Sequence, residues 1–232
     1  MHQFILLCIF FVSGFTGLVY ESIWAHYLKT ILGHSAYAQS IVLILFMGGL
    51  SIGAWYMAKF SISTKNLLRL YAIIEGIIGL FAVLFHRIFL FTEDISFNFF
   101  IPYISDPIYI EFYKWLICSI LILPQTILLG MTFPAMAGAL IRRKPKQPGY
   151  ALGILYFVNS IGGAAGVLAA AFIFLSLAGT PGTLLIAGTL NIFISIAAYF
   201  LSKKSEPVAP HKEPERNIST LPVYFLVLAG AL

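Results

Sequence analysis

The sequence predicts an all-α fold, a polytopic bundle of transmembrane helices, and three observations carry that prediction. Six apolar runs, each about one bilayer thick, follow one another along the chain. A helix needs about 20 mostly apolar residues to cross the hydrocarbon core, and only closed backbone hydrogen bonding survives there, so runs of this length are helices. The composition agrees, with 60% hydrophobic residues, 10% charged residues and a mean hydropathy of +0.94. A soluble domain carries about 25% charged residues, and 232 residues of this composition hold more apolar surface than a water-soluble fold solvates. The third observation is that basic residues gather in every second connection.

In chain order, the first span runs from about Phe4 to Trp24. It has no basic residue before it and no small-residue cleavage site after it, so it reads as a retained span rather than a signal peptide. An amphipathic stretch, Ala25 to Ala36, leads to a second span, Tyr37 to Ala58, and a third, Leu67 to Leu90. The connection from Phe91 to Glu111 holds Glu93, Asp94, Asp106, Pro102 and Pro107, and reads as a loop with at most a short interfacial turn. The fourth span, Phe112 to Ile141, is interrupted by Pro124 and Pro134. The fifth, Tyr150 to Leu177, meets the sixth, Thr183 to Leu201, at a Gly179-Thr180-Pro181-Gly182 turn. These spans make a domain over 1–201, followed by a charged, Pro-rich linker over 202–220. The apolar run 221–232 is half a span long and reads as the start of a truncated seventh.

Eleven of the 14 basic residues fall in the second, fourth and sixth connections, and the other side holds Lys29, Arg87 and Lys114. By the positive-inside bias, the even connections and the N-terminus are cytoplasmic. The expected location is the inner (plasma) membrane, with the lipid bilayer as partner. The net charge of +5 belongs to this topology and implies no nucleic acid. Cys8 and Cys118 lie within spans and read as small apolar core residues. The histidines have no metal-ligand spacing, and no catalytic or cofactor-binding motif occurs.

The remaining polar groups are the candidate site. Glu75 lies within the third span, where a carboxylate costs roughly 2.5–3.5 kcal/mol and faces a partner or a wet cavity. It reads either as a cation, amine or proton site or as a structural carboxyl paired with Gln125 or Asn159. Tyr20, Glu21 and Trp24 close the first span, where aromatic residues favour the interface and a carboxylate beside rings holds cations. Gln125 follows the first proline of the fourth span, whose freed carbonyls need new partners. Asn159 reads as an interhelical hydrogen-bonding group. Gly49 and Gly53, and Gly162 and Gly166, have the four-residue spacing that lets helices approach closely.

Five stretches in order carry a family resemblance: Ser13-Gly14-Phe15 through Tyr20-Glu21 to Trp24; Phe46-Met47-Gly48-Gly49-Leu50 to Trp55; Glu75 to Gly79; Pro124 to Pro134 with Gly130 and Thr132; and Tyr156 to Ala164 with Asn159. Over about residues 10 to 185 the chain resembles multi-pass membrane proteins related to spermidine synthase. The resemblance implies major-facilitator-like helices joined to a cytoplasmic aminopropyltransferase-like domain, which binds decarboxylated S-adenosylmethionine and a diamine. The motifs of that domain do not occur in these 232 residues, so no cofactor is expected in this chain. The expected function is a membrane anchor that also binds or transports a cationic polyamine, with a downstream soluble domain as partner. The alternatives are a purely structural membrane scaffold and a membrane-embedded enzyme acting on lipid.

Overall fold

The computed structural model describes residues 2–143 and 147–203. Among them every regular element is helical: α1 (His2–Leu32), α2 (Ser35–Ser63), α3 (Leu67–Ile95), α4 (Pro107–Arg143), α5 (Pro148–Ala169) and α6 (Leu175–Lys203). Five helical stretches are long and apolar enough to cross a membrane. Five such stretches stand where six separated spans are expected, because a π-helical turn, Ala170–Phe174, continues α5 into α6. Ser202 and Lys203 belong to α6 rather than to the expected linker. The rest of that linker and the expected seventh span at 221–232 lie outside the described residues.

The last stretch, 56 residues over 148–203, would be about 84 Å long as one straight helix, against a hydrocarbon core of ~30 Å. It breaks at Gly179, with φ 63° and ψ −174°, a conformation that favours a residue without a Cβ. Thr183 Oγ1 donates to the Gly179 carbonyl at 2.7 Å. Pro181 follows at the restart, where a missing N–H leaves no helical bond unmade.

Cross-helix contacts give the direction of each helix. Phe11 and Phe15 of α1 lie against Gly162 and Gly166 of α5, so these two run parallel. Ser13 meets Glu75 and Tyr27 meets His86, so α3 runs the same way. Gly49 lies against Thr126, and Ser61 binds Arg142, so α2 and α4 are parallel. Tyr113 meets Ser96 and Gln125 meets Ile78, which makes α4 antiparallel to α3. Asn66 meets Ser202 and Gly79 meets Gly188, which makes α6 antiparallel to α3 as well. Directions therefore alternate from α1 to α6, and the chain reverses between Gly166 and Gly188, where Gly179 provides the break.

Four local expectations are corrected. The stretch expected as amphipathic, Ala25 to Ala36, is the last two turns of α1 and the start of α2, separated at Gly33 with φ 82°. The expected loop from Phe91 to Glu111 is largely helical, with α3 reaching Ile95, a π-helical turn at Ser96–Phe100 and α4 starting at Pro107. Asp106 caps that start by accepting from the Ile108 N–H at 2.8 Å, so its acidic group ends a loop instead of extending one. In α4 the helix continues through Pro124 and Pro134. Cys118 is buried, but Cys8 is exposed on the outer surface.

The surface is inverted relative to a water-soluble protein. Phe4, Ile44, Phe172 and Phe193 point outward and are largely exposed, and a monomer in water does not present apolar area on this scale. The chain has the character of a multi-pass membrane protein. Where lipid surrounds every helix, packing depends on close backbone approach and interhelical hydrogen bonds. A Cβ at Gly53 would overlap the Ile127 carbonyl and crowd Gly130, and one at Gly166 would overlap the Phe15 carbonyl. At one end of the bundle, Arg142 Nη1 and Nη2 donate to the Thr64 and Ser61 carbonyls, both at 2.6 Å, and close the last turn of α2. Substituting Gly53→Leu forces α2 and α4 apart. We expect it to destabilise the fold by about 1–3 kcal/mol, read as earlier thermal unfolding in detergent, whereas Gly48→Leu at an open position leaves the transition unchanged.

Candidate functional site

The buried stripe of α3 repeats at helical spacing through Tyr71, Ala72, Ile74, Glu75, Ile78, Gly79 and Ala82. Glu75 falls on that stripe and therefore points into the bundle. Two neighbours without side chains bring α6 close: Ser195 lies against Gly76, and the Gly188 carbonyl and Ile192 lie against Gly79. That approach places Asn191 opposite the carboxyl group. One turn away, Ser195 Oγ donates to the Ala72 carbonyl at 2.6 Å and ties the same two helices.

Glu75 is 0% exposed, and each of its carboxyl oxygens is engaged. Ser13 Oγ of α1 donates to Oε1 at 2.5 Å, and Asn191 Nδ2 of α6 donates to Oε2 at 2.5 Å. Asn191 Oδ1 in turn accepts from Tyr20 Oη at 3.0 Å. Tyr71 Oη approaches Ser13 and the carboxyl group without completing a well-directed hydrogen bond. The result is a polar knot of α1, α3 and α6 inside an otherwise apolar interior.

Every direct partner of the carboxyl group is a neutral donor. The one ion pair among the described residues joins Lys114 and Glu111 near the start of α4, on a different part of the bundle. A carboxylate enclosed without a counter-charge is strongly disfavoured, so the group has the chemistry to take up a proton or to exchange a donor for a small cation. Among the described residues there is no cluster of three His, Cys, Asp or Glu suited to a metal ion.

The structure separates the residues singled out in the sequence. Tyr20 joins the knot. Trp24 stacks on Tyr20 with ring centroids 5.8 Å apart, and its Nε1 has no partner among the described residues. Both are fully buried and pack beside Phe46 and Phe85, and α1 continues two further turns past Trp24 to Leu32. Glu21 is half-buried and outside the knot. Gln125 Nε2 reaches the Ile78 carbonyl at 3.5 Å, one turn past Glu75, and its Oε1 is unpartnered among the described residues. Asn159 lies against Gly14. The expected pairing of Glu75 with Gln125 or Asn159 is therefore replaced by Ser13 and Asn191. Ser13 and Gly14 are neighbours about 100° apart around the helix, so one faces α3 and the other faces α5. Gly49, Gly53, Gly162 and Gly166 all lie at helix contacts, against α4 and α1.

Ser13, Tyr71 and Asn191 were not singled out from the sequence. The usable signal was polarity at the middle of a span, which Asn191 shows as plainly as Glu75 does. Comparison of the chain with known protein families, curated proteins and solved structures found no match.

Asn191→Leu strands both Glu75 Oε2 and the Tyr20 hydroxyl. We expect a loss of about 1–3 kcal/mol by chemical unfolding in detergent, and about half that for Tyr20→Phe, which strands only Asn191 Oδ1. Equal effects would place Tyr20 and Glu75 on an equal footing in the knot and contradict this order.

Proposed function

We propose that this chain is the membrane domain of a protein related to spermidine synthase, and that its Glu75 knot receives a positive charge within the bilayer, carried by a polyamine ammonium group or by a proton. The observation that carries the reading is a carboxyl group enclosed midway along an apolar helix, with neutral donors on both oxygens and no cationic partner among the described residues. Ionisable groups so placed mark ion, substrate or proton pathways in membrane proteins.

In this reading the chain passes the membrane six times, with the break at Gly179 as the outer turn between the last two passes. The alternating directions of α1 to α6 support it. The N-terminus and the even connections are cytoplasmic, as the placement of the basic residues favours. A soluble aminopropyltransferase-like partner domain would then lie on the cytoplasmic side, and the helices would anchor it and handle its amine. That last step rests on the resemblance of the five motifs.

A second reading is favoured by one observation: Glu75 is wholly enclosed and both its oxygens are already bonded. In that reading it is a structural bolt and no ligand reaches it. Calorimetric titration of the purified chain with putrescine and spermidine separates the two. Glu75→Gln keeps size and hydrogen bonding but removes the charge-assisted contact, worth about 1.5–3 kcal/mol, so amine affinity should fall about tenfold or more with the melting transition intact. A well-folded wild-type chain that binds neither amine, and whose Glu75 carboxyl band in infrared spectra is unchanged by acidification, would establish the bolt instead.

A further inference from the structure

On the outer surface of the same α3/α6 pair, away from the carboxyl knot, lies a groove of about 320 Å³ lined by Ala72, Ile73, Ser195, Ile196, Tyr199 and Phe200. Its polar floor group is already used, because the Ser195 hydroxyl is bonded to the Ala72 carbonyl. Its walls are apolar, and Ile73, Ile196 and Phe200 stand open to the surroundings.

Two cations sit at one mouth of this groove. Arg69 precedes Ile73 by one turn of α3, and Lys203 follows Tyr199 by one turn of α6. Because the helices are antiparallel, both arrive at the same end. The Tyr199 ring joins them: the Arg69 guanidinium carbon is 5.6 Å and Lys203 Nζ 5.0 Å from its centroid. Both side chains are exposed, and among the described residues neither forms an ion pair. Glu75 is the one carboxyl group on this half of α3, α6 has none, and Glu75 is turned inward. An apolar trough ending in two unanswered cations at a helix end matches an amphiphile with a negative head. Basic pockets between membrane helices select such headgroups.

We infer that this groove is a binding site for one anionic phospholipid, with an upper acyl segment against Ile73, Ile196 and Phe200 and its phosphate shared by Arg69 and Lys203. From Ser195 to Lys203 the site spans about 12 Å of helical rise, which keeps it within one leaflet. The inference requires the helices to lie in a bilayer and is independent of amine binding at Glu75.

The test is native mass spectrometry of the whole chain, released from micelles holding equal amounts of phosphatidylglycerol and phosphatidylcholine. The wild-type chain should retain one phosphatidylglycerol in preference to phosphatidylcholine. Each cation near an anionic headgroup contributes roughly a factor of five, so Arg69→Gln with Lys203→Gln should lower the preference on the order of 25-fold. Ile196→Trp, which fills the groove at an exposed position and leaves both charges, should also lower retention. Lys59→Gln, a cation on α2 over Trp55, should leave it unchanged. Circular dichroism confirms that each variant keeps its helicity. Three results would overturn the site: equal loss with Lys59→Gln, which means diffuse charge attraction; full retention with Ile196→Trp, which means contact through the headgroup alone; or displacement by soluble glycerol phosphate, which means a free-anion site.

Discussion

Glu75 takes one hydrogen bond from α1 and one from α6, and the relative placement of three helices follows from that requirement. In water an exposed carboxylate is hydrated on all sides. Inside an apolar bundle the same group needs a donor for each oxygen, and those donors have to be carried in on neighbouring helices. Ser13 and Asn191 meet that need, one on each oxygen. Tyr20 then satisfies the amide oxygen that Asn191 leaves over. The polar groups thus specify which helix meets which and at what height, a task that apolar packing among Leu, Ile and Phe leaves loosely defined.

Close backbone approach makes the knot reachable. The α3/α6 crossing places Gly79 against Gly188 on one side of the Glu75–Asn191 pair and Ser195 against the Ala72 carbonyl on the other. With larger residues there the helices would stand too far apart for a short Asn side chain to span the gap. The α2/α4 and α1/α5 contacts follow the same logic with glycines four residues apart. Since lipid offers no hydrophobic penalty for separation, tight van der Waals contact and buried hydrogen bonds carry the association.

Much of this was legible in the sequence. Length and polarity identify helices, and Glu75 stands out because a charge in the middle of an apolar run has few explanations. The Gly179-Thr180-Pro181-Gly182 turn was readable as a break because each residue type suits one position of it. Helix adjacency was not legible. Gln125 and Asn159 looked as suitable for Glu75 as Asn191 does, and only the rotation of α4 and α5 sends them to Ile78 and Gly14. The boundary differences have a related cause: α1 and α4 extend past their apolar runs at Tyr27, Lys29 and Glu111, because a helix entered within the bilayer propagates cheaply into the interface.

The central claim is that the carboxyl group of Glu75 ties α1 to α3. A double-mutant cycle of Ser13→Ala and Glu75→Leu, in which each single change removes the bond, measured by unfolding in lipid bicelles, tests it most directly. The account predicts a coupling of about 0.6–1.7 kcal/mol, from the average to the maximum for interhelical hydrogen bonds in membranes. Additivity to within about 0.3 kcal/mol would mean that the two groups do not act on each other, and would contradict it.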